Sequence, residues 1–169
     1  MHEETHPLDD PTADPFEVAR TAADDIARLT GVDHHDIALT LGSGWGKAAE
    51  LIGETTATLA ATDVTGFSKP ALEGHVGSIR SILTPDGKRV LVIGARTHYY
   101  EGHGVRRVVH SVRTAAATGA KTMVLTNGAG GIKTSWTPGQ PVLISDHINL
   151  TADSPLEGEI GRASCRERV

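Results

Sequence analysis

SIRSILTPDGKRVLVIGA, residues 78–95, decides the fold class of this chain of 169 residues. Two runs of mostly aliphatic residues flank Pro-Asp-Gly at positions 85–87, a combination typical of the tight turn of a β-hairpin. The second run leads directly into ARTHYYEGHG, residues 95–104, which holds both tyrosines of the chain beside an arginine and two histidines. The sequence therefore predicts an antiparallel hairpin that delivers the chain into a polar, aromatic segment.

Upstream of the hairpin, helix and strand patterns alternate. Asp14 and Pro15 are typical of the start of a helix, and Gly31 of its end. The apolar residues between them recur at helical spacing: Phe16, Ala19, Ala22, Ile26 and Leu29. DIALTLGSG, residues 36–44, indicates a short buried strand that runs into a glycine turn, and KAAELIGE, residues 47–54, indicates a helix.

Downstream of the hairpin, a helix is predicted from Val105 to Ala117. Its apolar face is Val105, Val108, Val109, Val112, Ala115 and Ala116. TGAKTMVLTNGAGG, residues 118–131, indicates the end of this helix, a buried strand and a glycine turn, and PVLISDHINL, residues 141–150, is a last apolar run. Strands alternating with helices predict an α/β fold, with a mixed, partly parallel sheet flanked by helices.

Charge and composition exclude several classes of protein. A net charge of -5 and an isoelectric point of about 6.0, with scattered basic residues, argue against a nucleic-acid partner. The sequence contains no run of about 18 apolar residues, and its acidic N-terminus lacks the pattern of a signal peptide, so a cytoplasmic protein without membrane contact is expected. The single cysteine, Cys165, excludes an intrachain disulfide.

The sequence predicts three regions of different character. Residues 1–13 are acidic and contain proline, which is typical of disorder. Residues 14–158 are predicted to form one domain that is incomplete at its C-terminus. EIGRASCRERV, residues 159–169, has no apolar period and resembles the translation of a sequencing-library adapter, so we expect a non-native tail. A genuine basic tail is the alternative.

Two glycine turns follow predicted strands. GSGWGK, residues 42–47, precedes a helical pattern, a placement in which backbone amides and the Ser43 hydroxyl can bind an anion. Its spacing matches neither a Walker A loop nor a dinucleotide fingerprint, and a tight packing turn is the alternative. NGAGGI, residues 127–132, has the same two interpretations, with Gly128 nearest the anion.

ARTHYYEGHG also has two interpretations. If the segment is extended, Arg96, His98 and Tyr100 lie on one side, where they suit an anion beside a sugar. Alternatively, Tyr99 and Tyr100 lie partly in the core and Arg96 forms a surface ion pair. His75, in the predicted loop EGHVG, is by itself typical of an exposed or capping histidine.

No metal site is predicted. HEETH, residues 2–6, matches the letters of the H-E-x-x-H zinc motif, but that motif requires both histidines on one helix and a third ligand. Pro7 and an acidic segment follow at once, so the match does not indicate a metalloprotease.

Five blocks, LGSGWG, EGHVG, RTHYYEGH, VLTNGAGG and PVLISDHINL, occur in this order between residues 14 and 158. Together they resemble the trimeric class of purine nucleoside phosphorylases. The resemblance implies that Tyr100 borders the ribose and that His98 is the catalytic residue. It implies a phosphate site formed by Ser43, His75, Arg96, His98 and the backbone of Gly128. Ala95 and Gly128 depart from the glycine and alanine more common in the family.

That family transfers a ribosyl or deoxyribosyl group from a purine to inorganic phosphate, with phosphate as co-substrate and no metal or organic cofactor. The resemblance also implies a homotrimer for the full-length protein, with inosine and guanosine as substrates. The family's purine-contacting residues lie beyond the end of this chain, so we expect a phosphate half-site with little or no phosphorolysis. The alternatives are a methylthioadenosine phosphorylase, whose relatives tend to carry threonine at position 43, and a non-catalytic anion- or nucleotide-binding module.

Overall fold

The computed structural model describes residues 6–42, 45–68 and 77–156. It divides into two compact units, the first ending at Asn127 and the second beginning at Gly128. The strands are β1 (Ile37–Thr40), β2 (Glu54–Ala60), β3 (Ser78–Leu83), β4 (Arg89–Ile93) and β5 (Thr122–Leu125). The α-helices are α1 (Pro15–Thr30), α2 (Gly104–Val108) and α3 (His110–Ala117), and short 3₁₀ helices span Gly46–Leu51, Ala61–Asp63 and Tyr99–Glu101.

The strands form one five-stranded mixed sheet in the order β2-β3-β4-β1-β5. β1 lies between β4 and β5 and runs parallel to both, whereas β2, β3 and β4 are joined by antiparallel pairing. Helices α1 and α3 pack against each other, and their buried Ala22, Ile26 and Ala115 share a core with the sheet residues Ile79 and Leu91. The predicted α/β fold with a partly parallel sheet is confirmed.

The predicted hairpin at residues 78–95 is confirmed. β3 pairs with β4 in an antiparallel register that sets Leu83 opposite Arg89. In the turn between them, the Lys88 carbonyl accepts a 3.0 Å hydrogen bond from the Thr84 amide. Gly87 has a φ of +82°, a conformation in which glycine has no steric cost.

Helix α1 begins and ends where the sequence predicts. The Asp14 carboxylate accepts a 2.8 Å hydrogen bond from the Phe16 amide, and Gly31 closes the helix in the left-handed conformation at φ +72°. Ala19, Ala22 and Ile26 of the predicted apolar face are buried. Leu29, in the last turn, is exposed instead.

The predicted helix at residues 47–54 is confirmed only in part. Residues 46–51 form a 3₁₀ helix, and β2 begins at Glu54. A side chain at Gly53 would lie 2.2 Å from the Leu83 carbonyl oxygen, so the backbone here packs directly on the end of β3. Pairing with β3 therefore decides the conformation of this segment, a tertiary contact that a helical pattern cannot reveal.

The predicted helix from Val105 to Ala117 is interrupted at Val109, which separates α2 from α3. The predicted apolar face is confirmed only in part, since Ala115 is buried but Val112 and Ala116 are exposed. The buried face is mainly polar: His110, Ser111, Thr114, Ala115 and Thr118. Local hydrogen bonds make this burial tolerable, such as the 2.8 Å bond from the Thr118 hydroxyl to the Ala115 carbonyl.

Residues 6–13 follow a defined course against α2, although the sequence analysis predicts disorder there. Leu8 is 3% exposed. The Arg106 guanidinium donates hydrogen bonds to the carbonyls of Asp10 and Ala13, and the Arg107 guanidinium forms a two-point ion pair with the Asp9 carboxylate. These two arginines give the acidic segment partners that its composition alone does not reveal.

A strand predicted to be buried and the last apolar run are both exposed. β5 forms at the predicted place, but Val124 and Leu125 are 43% and 59% exposed. Residues 141–150 contain no helix or strand, and Leu143 and Ile148 are 98% and 85% exposed. Apolar runs of this kind are typical of buried segments, but no other part of the described chain covers these two. Throughout those residues, no helix is both long and apolar enough to cross a membrane.

Candidate functional site

The parallel strands β4, β1 and β5 end at the same edge of the sheet, as the sequence predicts. The Thr126 hydroxyl donates a 3.0 Å hydrogen bond to the Thr40 carbonyl and accepts a 2.8 Å bond from the Gly42 amide. A Cβ atom at Gly42 would lie 2.9 Å from the Thr126 carbonyl oxygen, which leaves room for glycine only. The ends of β1 and β5 are thus tied together where ligands bind in parallel sheets.

The glycine turn after β1 is described only at its two ends. Ser43 and His75, both predicted phosphate ligands, lie outside the described residues. The Trp45 amide donates a 3.1 Å hydrogen bond to the Gly42 carbonyl across the turn, and the Trp45 side chain is 42% exposed.

A groove next to the end of β4 contains Arg96. It is lined by residues 66–68, residues 95–97 and the helix residues Arg107, Val108, His110 and Ser111; we call it the Arg96 groove. Arg96 is exposed and makes no hydrogen bond or ion pair with the described part of the chain. The predicted alternative of a surface ion pair is therefore not observed there. A planar guanidinium left unpaired at a groove can bind an oxyanion through two parallel hydrogen bonds.

His98 is held in place by Glu101. One carboxylate oxygen of Glu101 accepts a 2.8 Å hydrogen bond from the His98 backbone amide and lies 2.8 Å from the His98 Nδ1. Burial raises the pKa of Glu101, but the hydrogen bonds from His98 outweigh it and leave that pKa below its usual value. Because the Glu101 carboxylate accepts a hydrogen bond from the Nδ1 side of the ring, the Nε2 atom stays available to a ligand.

Tyr100 stacks on His98. The two ring centroids are 4.8 Å apart and the rings are inclined by 17°. Tyr99 and Tyr100 are 45% and 79% exposed, so the predicted alternative that puts them partly in the core is wrong. The short 3₁₀ helix from Tyr99 to Glu101 turns the chain immediately after His98, which keeps Tyr100 beside the imidazole.

The structure thus brings His98 and Tyr100 into direct contact. Arg96 lines the groove, whereas His98 and Tyr100 are not among the residues that line it. Glu101 is not among the residues predicted from the sequence, although its position three residues after His98 is the spacing of a capping carboxylate. Gly128 begins the second unit, is exposed and has open space at its Cβ position. In the described ranges, no group of three or more His, Cys, Asp or Glu side chains is arranged to hold a metal ion.

Comparison with known proteins gives consistent matches. A family model described as the phosphorylase superfamily matches residues 36–167. Purine nucleoside phosphorylases from Cellulomonas sp and Mycobacterium tuberculosis are 62% and 53% identical, over 91% and 88% of this chain and 56% and 55% of theirs. The solved structure of Schistosoma mansoni purine nucleoside phosphorylase with inosine matches with a TM-score of 0.62 and 29% identity, over 72% of this chain and 41% of that chain. The chain spans about half the length of the curated relatives it matches.

Proposed function

Because this chain belongs to the phosphorylase superfamily, we propose that it forms the phosphate- and ribose-binding part of a purine nucleoside phosphorylase. The reaction converts inosine, guanosine or their deoxy forms and inorganic phosphate into a free purine base and the sugar 1-phosphate. The observation that carries the proposal is the segment after β4. There an arginine that has no partner among the described residues lies at a groove and precedes a histidine whose Nδ1 is engaged and whose ring stacks on an exposed tyrosine.

The chemistry suits these groups. A phosphate oxygen attacks C1′ of the nucleoside while the bond from C1′ to the purine nitrogen breaks, and that bonding pair leaves with the purine, which takes up a proton. The sugar becomes cationic as the bond breaks, so a phosphate dianion held close to it stabilises the transition state. Arg96 would orient the phosphate by paired hydrogen bonds, the His98 Nε2 would contact a phosphate oxygen as the catalytic residue, and Tyr100 would border the ribose.

The remaining ligands are part of the same proposal. Ser43, His75 and the Gly128 amide would complete the phosphate site, without a metal or an organic cofactor. Since the relatives are about twice as long, the groups that contact the purine are proposed to lie outside this chain. The chain by itself would bind phosphate and have little or no phosphorolytic activity. A homotrimer for the whole protein and a cytoplasmic location stay predictions.

Phosphate titration of the chain tests the proposal. We expect Arg96→Ala to weaken phosphate binding at least tenfold, since a hydrogen-bonded charged pair contributes about 1.5–3 kcal/mol. Arg20→Ala, which removes an exposed arginine from α1, is the matched control and should bind like the wild type. Isothermal titration with inorganic phosphate at constant ionic strength measures both.

A second measurement tests whether the chain by itself lacks phosphorolytic activity. The chain is incubated with guanosine and phosphate, and release of guanine is followed by chromatography. Turnover comparable to that of a longer relative would contradict the proposal that the chain by itself has little or no phosphorolytic activity. Equal phosphate affinity for Arg96→Ala and Arg20→Ala would contradict the proposed phosphate site itself.

A further inference from the structure

The turn at residues 65–68 forms part of the wall of the Arg96 groove. Two helices hold this turn by side-chain contacts to its backbone. From α1, the Asp25 carboxylate accepts hydrogen bonds of 3.0 Å from the Thr65 amide and 2.7 Å from the Thr65 hydroxyl. From α3, the His110 Nε2 lies 2.9 Å from the Thr65 carbonyl oxygen. The position of this wall is therefore set by groups from outside the turn.

His110 contacts the two residues after Thr65 as well. A Cβ atom at Gly66 would lie 2.5 Å from the His110 Nε2, so the imidazole packs directly against the glycine backbone. The Phe67 ring lies 4.9 Å from the His110 ring, centroid to centroid, at an angle of 60°. Gly66 has a φ of +76°, which favours glycine independently of the close contact. The His110 side chain thus contacts three consecutive residues of the turn, Thr65, Gly66 and Phe67.

The protonation state of His110 follows from its surroundings. The side chain is 2% exposed, and burial lowers its pKa, so the imidazole is neutral at neutral pH. A carbonyl oxygen can only accept, which assigns the single ring proton to Nε2. The Nδ1 atom is buried and has no hydrogen-bond partner among the described residues. Burying an unsatisfied acceptor is unfavourable, so an apolar side chain would serve the core of α3 better than this histidine does.

We propose that His110 is a positioning residue for the phosphate site. Its hydrogen bond to Thr65 and its contact with Gly66 fix the turn that borders Arg96, and so fix the width of the groove in which the guanidinium meets phosphate. His110 and Ser111 themselves line the groove, which links α3 to the same site. The inference rests on the proposed function, because it assigns His110 an effect on phosphate binding.

The test separates the hydrogen bond from the packing. His110→Phe keeps an aromatic ring beside Phe67 and removes the donor to the Thr65 carbonyl, whereas His110→Gln keeps an amide donor near the position of Nε2. We expect His110→Phe to weaken phosphate binding about five- to tenfold, and His110→Gln to stay within about twofold of the wild type. Val112→Ala, at an exposed position of the same helix, is the matched control.

A glycine pair supplies an independent variant if His110→Phe does not fold. Gly66→Ala forces a methyl group against the His110 ring, while Gly87→Ala has a similar backbone conformation, at φ +82°, with open space around its Cβ. Both substitutions strain the backbone alike. Only Gly66→Ala displaces the groove wall, so only this variant should lose phosphate affinity.

The outcomes distinguish this inference from the proposed function. If the wild-type chain does not bind phosphate, or if Arg96→Ala binds it unchanged, both are wrong. If Arg96→Ala abolishes binding but His110→Phe and Gly66→Ala bind phosphate like the wild type and lose only thermal stability, His110 is purely structural. Restoration of affinity by His110→Gln at an unchanged melting temperature supports the positioning role.

Discussion

At the scale of single residues, the imidazole of His98 is confined from two directions. The Glu101 carboxylate fixes its Nδ1 side, and the Tyr100 ring covers one face. Both partners follow His98 within three residues, so a short 3₁₀ helix is sufficient to build this unit. We propose His98 as the catalytic residue, and its ring is thereby oriented by neighbouring residues in the sequence. This orientation does not depend on distant parts of the fold.

Glu101 provides a direct test of this orientation. Glu101→Gln keeps an oxygen that accepts the backbone hydrogen bond of His98, whereas Glu101→Ala removes every acceptor. We expect phosphate affinity to fall about tenfold in Glu101→Ala, because two hydrogen bonds to a partly buried carboxylate are lost. Glu101→Gln should retain most of the affinity. Equal losses in the two variants, measured by calorimetric titration, would show that the charge matters and the hydrogen bond does not.

The sequence is sufficient to select the candidate site residues of this segment, but it predicts their arrangement in space only in part. Alternation in an extended chain predicts that Arg96, His98 and Tyr100 share one side. The chain turns after His98 instead, and ring stacking keeps Tyr100 beside it. Neither the stack nor the role of Glu101 follows from alternation, because both depend on a turn whose formation the side chains themselves help to decide.

At the scale of elements, α1 shows what local signals can determine. A capping carboxylate, a proline in the first turn and a terminal glycine define its ends without reference to the rest of the molecule. Helices α2 and α3 show the opposite. Which face of α3 is buried depends on the turn at residues 65–68 and on α1, so apolar spacing selects Val112 and Ala116 wrongly.

The cap of α1 has a measurable contribution to stability. Asp14→Ala leaves the Phe16 amide without its side-chain acceptor, and we expect the free energy of unfolding to fall by about 1 kcal/mol. Asp24→Ala removes an exposed carboxylate from the middle of the same helix and serves as the control. Urea denaturation followed by circular dichroism should separate the two variants, and identical midpoints would contradict the capping role.

At the scale of the whole molecule, a buried histidine connects the sheet to the helical layer. His35 is fully buried, its Nε2 lies 3.0 Å from the Ser81 hydroxyl of β3, and its amide donates a 3.0 Å hydrogen bond to the Thr118 carbonyl. Burial, with smaller contributions from neighbouring charges, lowers its pKa from 6.5 to about 4. Nothing in the sequence around His35 distinguishes it from the neighbouring His34, since burial is decided by strands far along the chain.

This pKa shift makes the stability of the fold depend on pH. Below pH 6.5 the unfolded chain binds a proton at His35, whereas the folded protein does not do so until about pH 4. The free energy of unfolding should therefore be constant above pH 7 and should fall as the pH decreases from about 6.5 to 4. Burial lowers the pKa of His110 in the same direction.

Urea midpoints measured across this pH range test the assignment. His35→Asn should reduce the slope between pH 6.5 and 4, and His147→Gln, which removes an exposed histidine, should leave it unchanged. An unaltered slope in His35→Asn would assign the pH dependence to other groups.

The position of β1 also governs the order in which the sheet can assemble. β1 is the first strand to be synthesised, yet its two neighbours are the fourth and fifth strands. β2 and β3 each pair with the next strand along the chain, so the antiparallel part, β2-β3-β4, can form from local contacts, which fold fastest. During translation, β1 has no partner strand until β4 has left the ribosome and has only one until β5 follows. The strand ends that carry the candidate site therefore meet last, and the nascent protein acquires this edge of the sheet only after the antiparallel part has been made.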